Sequence, residues 1–301
     1  MIDALIFDSG VGGLSVSAEI RRRLPWLSLG YVCDNAALPY GTKEDAWLVA
    51  RIASVCERAC EQARPRALVV ACNTASTLAL EALRQRLSIP VIGTVPAIKP
   101  AATLSQRRVI GLLATSATVH RPYLDRLIDK FATDCRVVRV AADALVIEAE
   151  RLMMGQPVDM SRLSNAIEPL KAASDIDVVV LGCTHFPLLR SRLELLMPRG
   201  VHWIDSGEAI ARRLRDVLSE SDELSERKVL FERNALAEGK APSGNLLPGD
   251  VDIPAGRAAA DSGIGSVSWA TATSVAGLTS ALSRFGYAPP TMLEVDSPGA
   301  W

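Results

Sequence analysis

The feature that most constrains the fold is an alternation. Short runs rich in Val, Ile and Leu recur along the chain, each followed by a longer stretch of helical period. A strand buried on both faces reads as an unbroken apolar run, and a crossover helix reads with a period near 3.6, so this rhythm is what βαβ units produce. The expected strands are 4–7, 29–33, 67–71, 91–93, 108–113, 136–140, 177–181 and 202–204. Between 42 and 62 the positions Ala46, Val49, Ala50, Ala53, Val55 and Ala59 recur at helical spacing, which predicts a surface helix with Glu44, Arg51, Glu57 and Arg58 facing water.

The expected class is therefore α/β, with two similar lobes, each a mainly parallel sheet flanked by helices. Residues 1–95 form the first lobe and 96–206 the second, joined by a connecting stretch at 96–106. A C-terminal return, about 207–220 and 266–288, rejoins the first lobe and supplies a last strand at 267–270 and a helix at 275–285. Residues 221–265 carry Gly239, Pro242, Gly244, Pro248, Gly249, Pro254 and Gly256, so they read as an insert or flexible loop.

Charge and apolar run length narrow the function. Lys and Arg total 33 against 34 Asp and Glu, a net charge of -1, which removes the electrostatic reason to expect direct nucleic-acid binding. Every apolar run is far shorter than the roughly 20 residues of a membrane span, so no membrane partner is expected. The N-terminus has no basic stretch and meets Asp3 and Asp8 at once, unlike a secretory signal; a cytoplasmic protein is expected. Its six cysteines would then be reduced, and Cys33, Cys56, Cys60 and Cys135 read as packing thiols. Cys56 and Cys60 lack a second pair at ligand spacing, so no metal is expected.

The other two cysteines stand in an internal echo. Val69-Val70-Ala71-Cys72-Asn73-Thr74 resembles Val179-Val180-Leu181-Gly182-Cys183-Thr184, an apolar strand ending in a thiol that a Thr follows closely. Both thiols would lie at strand C-terminal ends, where open α/β sheets place their ligands. Amide dipoles of the following helix stabilise a thiolate there, and His185 beside Cys183 can hold a proton. Asp8-Ser9-Gly10-Val11-Gly12-Gly13 follows the first strand as a tight turn suited to an anion such as a carboxylate; Ser15 occupies the third glycine position of a dinucleotide fingerprint, so nucleotide binding is weakly supported. Asp205-Ser206-Gly207 and Asp261-Ser262-Gly263 repeat its first tripeptide, and both read as turn or cap chemistry. Two polar-flanked thiols admit three chemistries: acyl transfer by a Cys-His nucleophile, dithiol redox, or opposed bases in a racemase or epimerase. The lack of a CxxC weakens redox and the near-repeat favours opposed bases, while spacing alone leaves the choice open.

The strings IFDSGVGGLSV (6–16), CDNAALPYGTKE (33–44), ACNTAS (71–76), TVPAIKPAA (94–102), LATSATV (113–119), GCTHFPLL (182–189) and IDSGEAIAR (204–212) resemble the glutamate racemases of the aspartate/glutamate racemase family. The resemblance covers 2 to about 218. Ser76, where related aspartate racemases usually carry His, points to the glutamate branch. The resemblance implies an active site in the cleft between the lobes, interconversion of L- and D-glutamate with no cofactor and no metal, supply of D-glutamate for peptidoglycan and hence cell shape, and a homodimer. Racemisation of another acidic amino acid such as aspartate, or a secondary role such as inhibition of DNA gyrase, is the alternative. The resemblance makes Cys72 and Cys183 the acid/base thiols, assisted by Asp8 and His185. Asp8, Ser9, Tyr40, Gly41, Asn73, Thr74, Thr115, Thr118, Glu150, Thr184 and His185 would hold the substrate. Three departures stand out. Ala142 and Asp143 occupy an expected Cys-Pro pair, which leaves Glu148 competing with Glu150. His120-Arg121 replaces a small polar residue after Thr118. The chain also begins almost at its first strand, without the extension that accompanies activation by a peptidoglycan precursor in some members.

Overall fold

A computed structural model describes residues 2–219, 222–237 and 266–295. Among the described residues ten strands form two sheets. The first contains β1 (Ile2–Asp8), β2 (Leu29–Cys33), β3 (Pro65–Val70), β4 (Val91–Gly93), β9 (Val267–Ala270) and β10 (Thr291–Met292), in the order β10-β9-β2-β1-β3-β4. The second contains β5 (Val109–Ala114), β6 (Arg136–Ala141), β7 (Val178–Leu181) and β8 (His202–Ile204), in the order β6-β5-β7-β8. Every pairing is parallel. Set β5 on β1 and the second sheet coincides with the β2-β1-β3-β4 part of the first, so β3 and β7 hold equivalent places and each sheet reverses its strand order beside its first strand. Such switch points are where open α/β sheets bind ligands.

The unbroken apolar runs are explained by burial on both faces. Along β1 the side chains alternate, so Ala4 and Ile6 pack with Leu14, Ile20 and Leu214, while Leu5 and Phe7 pack with Ile52, Leu68 and Val70 on the other side. In the second sheet Leu113, Val179 and Leu181 face one cluster and Ile110, Leu112, Val178 and Val180 face the other. The edge strand β6 is largely exposed and carries Arg136 and Arg139, charges that discourage further strand pairing.

Three expectations change. The stretch 96–106 is more than a connector, because Ile98–Leu104 is a helix whose Ile98, Ala101 and Ala102 pack on the second sheet. Part of the expected loop at 221–265 is also a helix, Asp222–Ala237. Its sequence is rich in Glu, Leu, Arg and Ala, and the Gly/Pro punctuation begins only at Gly239. Leu224 buries against the first lobe, Arg227 bonds Asp3 and the Trp26 carbonyl oxygen, and Phe231 meets Trp26 with ring centroids 6.4 Å apart. Residues 238–265, with Asp261-Ser262-Gly263, lie outside the described residues. The third change concerns Arg51. The helix Asp45–Ala63 forms as its spacing predicts, but Arg51 is buried and pairs with the fully buried Asp34 at 2.8 Å. A long cation can face inward when a carboxylate and carbonyls wait for it, and periodicity carries no sign of that partner.

Candidate active site

The chemistry-bearing residues stand where strands end. Asp8 closes β1, and residues 9–13 turn the chain into the helix Leu14–Arg23. Cys72 is the N-cap residue of the helix Asn73–Arg86 after β3, and Thr115 is that of the short helix Ser116–Val119 after β5. Cys183, Thr184 and His185 follow β7 and enter a single 3-10 turn, Phe186–Leu189. Cys72, Cys183, Asp8, Ser9, Asn73, Thr74, Thr184 and His185 are all buried.

Contacts between the lobes bring these ends together. Thr184 Oγ1 donates to Asp8 Oδ2 at 3.0 Å, and Asp8 Oδ1 accepts the Gly10 amide at 3.0 Å. Glu150, on the helix Asp143–Met153, accepts the Val11 amide at 2.9 Å and lies 2.7 Å from His185 Nε2. The other ring nitrogen, Nδ1, is 3.7 Å from Cys183 Sγ. These contacts give a line Glu150–His185–Cys183. On the opposite side the Cys72 thiol donates to Ser9 Oγ at 3.6 Å. The turn needs its glycines because the second lobe presses on it. A Cβ on Gly12 would stand 2.5 Å from His185 Nδ1 and 2.5 Å from Thr184 Oγ1, and one on Gly10 would strike Glu150 Oε1.

The two thiols sit in different fields. Burial and the neighbouring Asp8 carboxylate push Cys72 up to about 12, against the Ala75 amide and the Ser9 hydroxyl, and Cys183 is close enough to add to the rise. Burial likewise raises Asp8, opposed by His185, Gly10 and Thr184. Burial alone would lower His185, but its hydrogen bonds to Cys183 and Glu150 hold it well above the ordinary imidazole value. These two partners favour the protonated ring beside Cys183.

The other expected residues divide. Glu150 lies in the site, whereas Glu148 is fully buried away from it, accepting the Asp159 amide at 2.8 Å and facing Arg162 at 3.4 Å. Thr115 and Thr118 pair through their hydroxyls at 3.2 Å, on a short helix that packs against the helix after Cys72 and against the 3-10 turn Tyr40–Thr42. Gly41 faces the second lobe, since a Cβ there would come within 3.6 Å of Ala117 and 3.9 Å of Asp143. Tyr40 packs in the cluster that holds Cys72, but its hydroxyl donates to Asp34 at 2.8 Å and so is not presented as a free donor. Asn73 Oδ1 is buried without a partner among the described residues. Of the remaining thiols, Cys33 and Cys56 are buried in the core and Cys60 and Cys135 are half-buried at its margin. Among the described residues no group of three or more His, Cys, Asp and Glu is placed to hold a metal ion.

The comparisons bear on this geometry. The Asp/Glu/hydantoin racemase family matches residues 15–214. The chain belongs to that family. It is 50% identical over 230 residues to the glutamate racemase of Shewanella sp. (strain MR-4), covering 76% of this chain and 84% of that one. With the glutamate racemase of Klebsiella pneumoniae (strain 342) it shares 51% identity over 211 residues, 69% of this chain and 74% of the relative. Among solved structures, Escherichia coli glutamate racemase in complex with L-glutamate and the activator UDP-MurNAc-Ala superposes with a TM-score of 0.80 at 37% identity, covering 98% of this chain and 99% of that one.

Two residues that hold this racemase-family site together escape the sequence reading. Ser15 Oγ stands 2.8 Å from both the Gly12 and Thr184 carbonyl oxygens and so ties the first turn to the second lobe. Its only signal is a hydroxyl near the start of a helix, which ordinary capping chemistry explains equally well. Arg121 forms a bidentate pair with Asp45 at 2.5 and 2.6 Å, joining the short helix region of the second lobe to the start of a first-lobe helix. Its departure from the expected small polar residue was the signal, and its partner is 76 positions away.

Proposed function

We propose that the chain is a glutamate racemase that moves the α-proton by opposed thiols, Cys72 and Cys183. One observation carries the reading. Two thiols leave equivalent strand ends of two sheets that share a four-strand order, Cys72 beside the Ser9 hydroxyl with the Asp8 charge nearby and Cys183 beside His185 and Glu150. Racemisation needs an acceptor on one face of the carbon and a donor on the other. One thiolate takes the α-proton, so a C–H bond breaks and an S–H bond forms. The opposite thiol then gives its proton to the other face of the carbanion and becomes the thiolate. The exchange conserves protons and swaps the two roles, and His185 and Asp8 can carry the proton that resets them.

The lining suits an amino acid with a second carboxylate. Hydroxyls of Ser9, Thr74, Thr115, Thr118 and Thr184 and the backbone at Tyr40 and Gly41 supply donors for carboxylates. Asp8, Glu150 and the unpaired Asn73 oxygen supply acceptors for the ammonium group. Burial of both thiols keeps water from the developing carbanion, which strengthens every fixed dipole around it. Ser76 donates to the Val70 carbonyl oxygen at 2.9 Å and accepts the Thr94 amide, so it shapes the wall and offers no imidazole.

The same reading assigns residues 1–95, with 207–220 and 266–288, to one lobe and 96–206 to the other. It gives the enzyme a cytoplasmic role in supplying D-glutamate for peptidoglycan, acting as a homodimer. No described helix is long and apolar enough to cross a membrane. The deciding experiment is racemisation in deuterium oxide, followed by proton NMR of the α-position. Deuterium entering both L- and D-glutamate is expected, with aspartate a much poorer substrate. Retention of protium in both glutamates, or aspartate turned over equally well, overturns the proposal.

A further inference from the structure

Asp34 follows β2 and is fully buried, and its carboxylate has all its acceptor sites filled from three parts of the chain. Arg51 Nη2 donates to Oδ1 at 2.8 Å and Nε to Oδ2 at 3.1 Å. The Tyr40 hydroxyl donates to Oδ2 at 2.8 Å. The Thr271 hydroxyl donates to Oδ1 at 2.8 Å, from a residue 237 positions downstream, just after β9. Around this carboxylate the C-terminal return is stitched to the loop that carries Tyr40 and Gly41. The Ala36 amide donates to Thr271 Oγ1 at 3.1 Å, Asn35 Nδ2 donates to the Ala272 carbonyl oxygen at 2.7 Å, and the Ala272 amide donates to Asn35 Oδ1 at 3.0 Å. Arg51 Nη1 closes the network on the Val295 carbonyl oxygen at 3.3 Å.

None of these hydrogen bonds ends on a thiol, and their output is the position of the 3-10 turn Tyr40–Thr42. That turn has Tyr40 in the apolar cluster of Cys72 and Gly41 against Ala117 and Asp143 of the second lobe. Arg51 alone balances the charge of Asp34, so the hydroxyls of Thr271 and Tyr40 are not needed for neutralisation. What they add is direction. A carboxylate held by donors on both oxygens has one orientation, and the Tyr40 ring is aimed by it.

We infer that Thr271 and Asp34 are positioning residues for the substrate, so that the C-terminal return, through Asp34, sets where Tyr40 and Gly41 stand in the cleft. The inference rests on the racemase reading for its substrate. A loop that holds substrate equally before and during proton transfer contributes uniform binding, so loosening it raises KM and leaves kcat nearly unchanged.

Thr271→Val removes the hydroxyl at nearly constant volume, and Thr271→Ser keeps it. Asp34→Asn strands the buried Arg51 charge and can fail to fold, which makes the Thr271 pair the better probe. In glutamate racemisation, Thr271→Val is expected to raise KM about three- to tenfold with kcat within about twofold, a loss of the size of one ordinary net hydrogen bond, since the turn is loosened and the substrate contact is not itself removed. Thr271→Ser is expected to restore the wild-type KM, and Tyr40→Phe combined with Thr271→Val to cost less than the two separate losses together. A Thr271→Val enzyme with lowered Tm and wild-type KM makes the network merely structural and overturns the inference, as does one that loses kcat at constant KM. Thermal-shift titration with L-glutamate reads the same loss of affinity without turnover. If the wild type exchanges no deuterium into glutamate, the functional reading fails by itself, and a titration in which wild type and Thr271→Val bind alike removes the positioning role as well.

Discussion

Cys72 and Cys183 leave the same strand of the same four-strand order, yet the groups around them differ in kind. Cys72 faces a serine hydroxyl, and burial with the neighbouring Asp8 carboxylate pushes its thiol up to about 12. Cys183 faces an imidazole that its hydrogen bonds to Cys183 and Glu150 hold well above the ordinary value against burial. Both thiols are buried, and the difference lies in the neighbour, a carboxyl group on one side and an imidazole on the other. The shared strand order sets the two thiols at equivalent strand ends, while the residues after each strand give one a carboxylate for a neighbour and the other an imidazole. The symmetry is in the backbone and the asymmetry is in the charges.

Removing either thiol tests the comparison most severely. Cys72→Ser and Cys183→Ser are each expected to lower kcat for racemisation by about 10²- to 10⁴-fold, the range of a lost general acid or base, as followed by circular dichroism of glutamate. Full activity in either variant breaks the pairing of the two halves.

Glu150→Gln sharpens it on the Cys183 side alone. The variant keeps the shape but removes the carboxylate charge, and about a tenfold loss of kcat is expected with the His185 pKa moved down, read by NMR of the imidazole. The sign for stability follows from the raised value. His185 titrates higher in the folded chain than the ordinary 6.5, so its stabilisation is complete below pH 6.5 and is lost as pH rises through the folded value. Chemical unfolding between pH 6 and 9 should show a stability decline in the wild type that is flatter in Glu150→Gln.

The smallest effect is expected at the Arg121–Asp45 pair between the lobes. Asp45 is exposed, so Arg121→Gln should cost no more than about 1 kcal/mol in denaturant unfolding and should lose its effect at high salt. A larger, salt-insensitive loss shows that the two lobes depend on this contact more than on the buried Ser15 and Thr184 bonds.

Much of this site was legible in the sequence. The echo of Val69–Thr74 in Val179–Thr184 marks β3 and β7 as equivalent, because a thiol after an apolar strand is a local pattern. Asp8 and the glycine turn are likewise local, and the resemblance added Tyr40, Thr115 and Thr118 as candidates. Glu148 and Glu150 could not be separated along the chain. They lie two positions apart on one helix, and only the packing of that helix turns Glu150 toward Val11 and His185 and Glu148 toward Asp159 and Arg162. Arg51 was misread as facing water because helical periodicity sorts residues by polarity and knows nothing of a carboxylate arriving from β2. The helix Asp222–Ala237 was hidden by the glycines and prolines that follow it.

By itself, then, the sequence determined the alternating elements, the parallel class of both sheets and the two thiols at strand ends. Those depend on periodicity and on turn chemistry within a few residues. Tertiary structure alone decided which side chain answers which thiol, that Arg51, Tyr40 and Thr271 share Asp34, and that Ser15 reaches Thr184. These contacts join positions up to 237 apart, and their energies exist only once both partners have left water together.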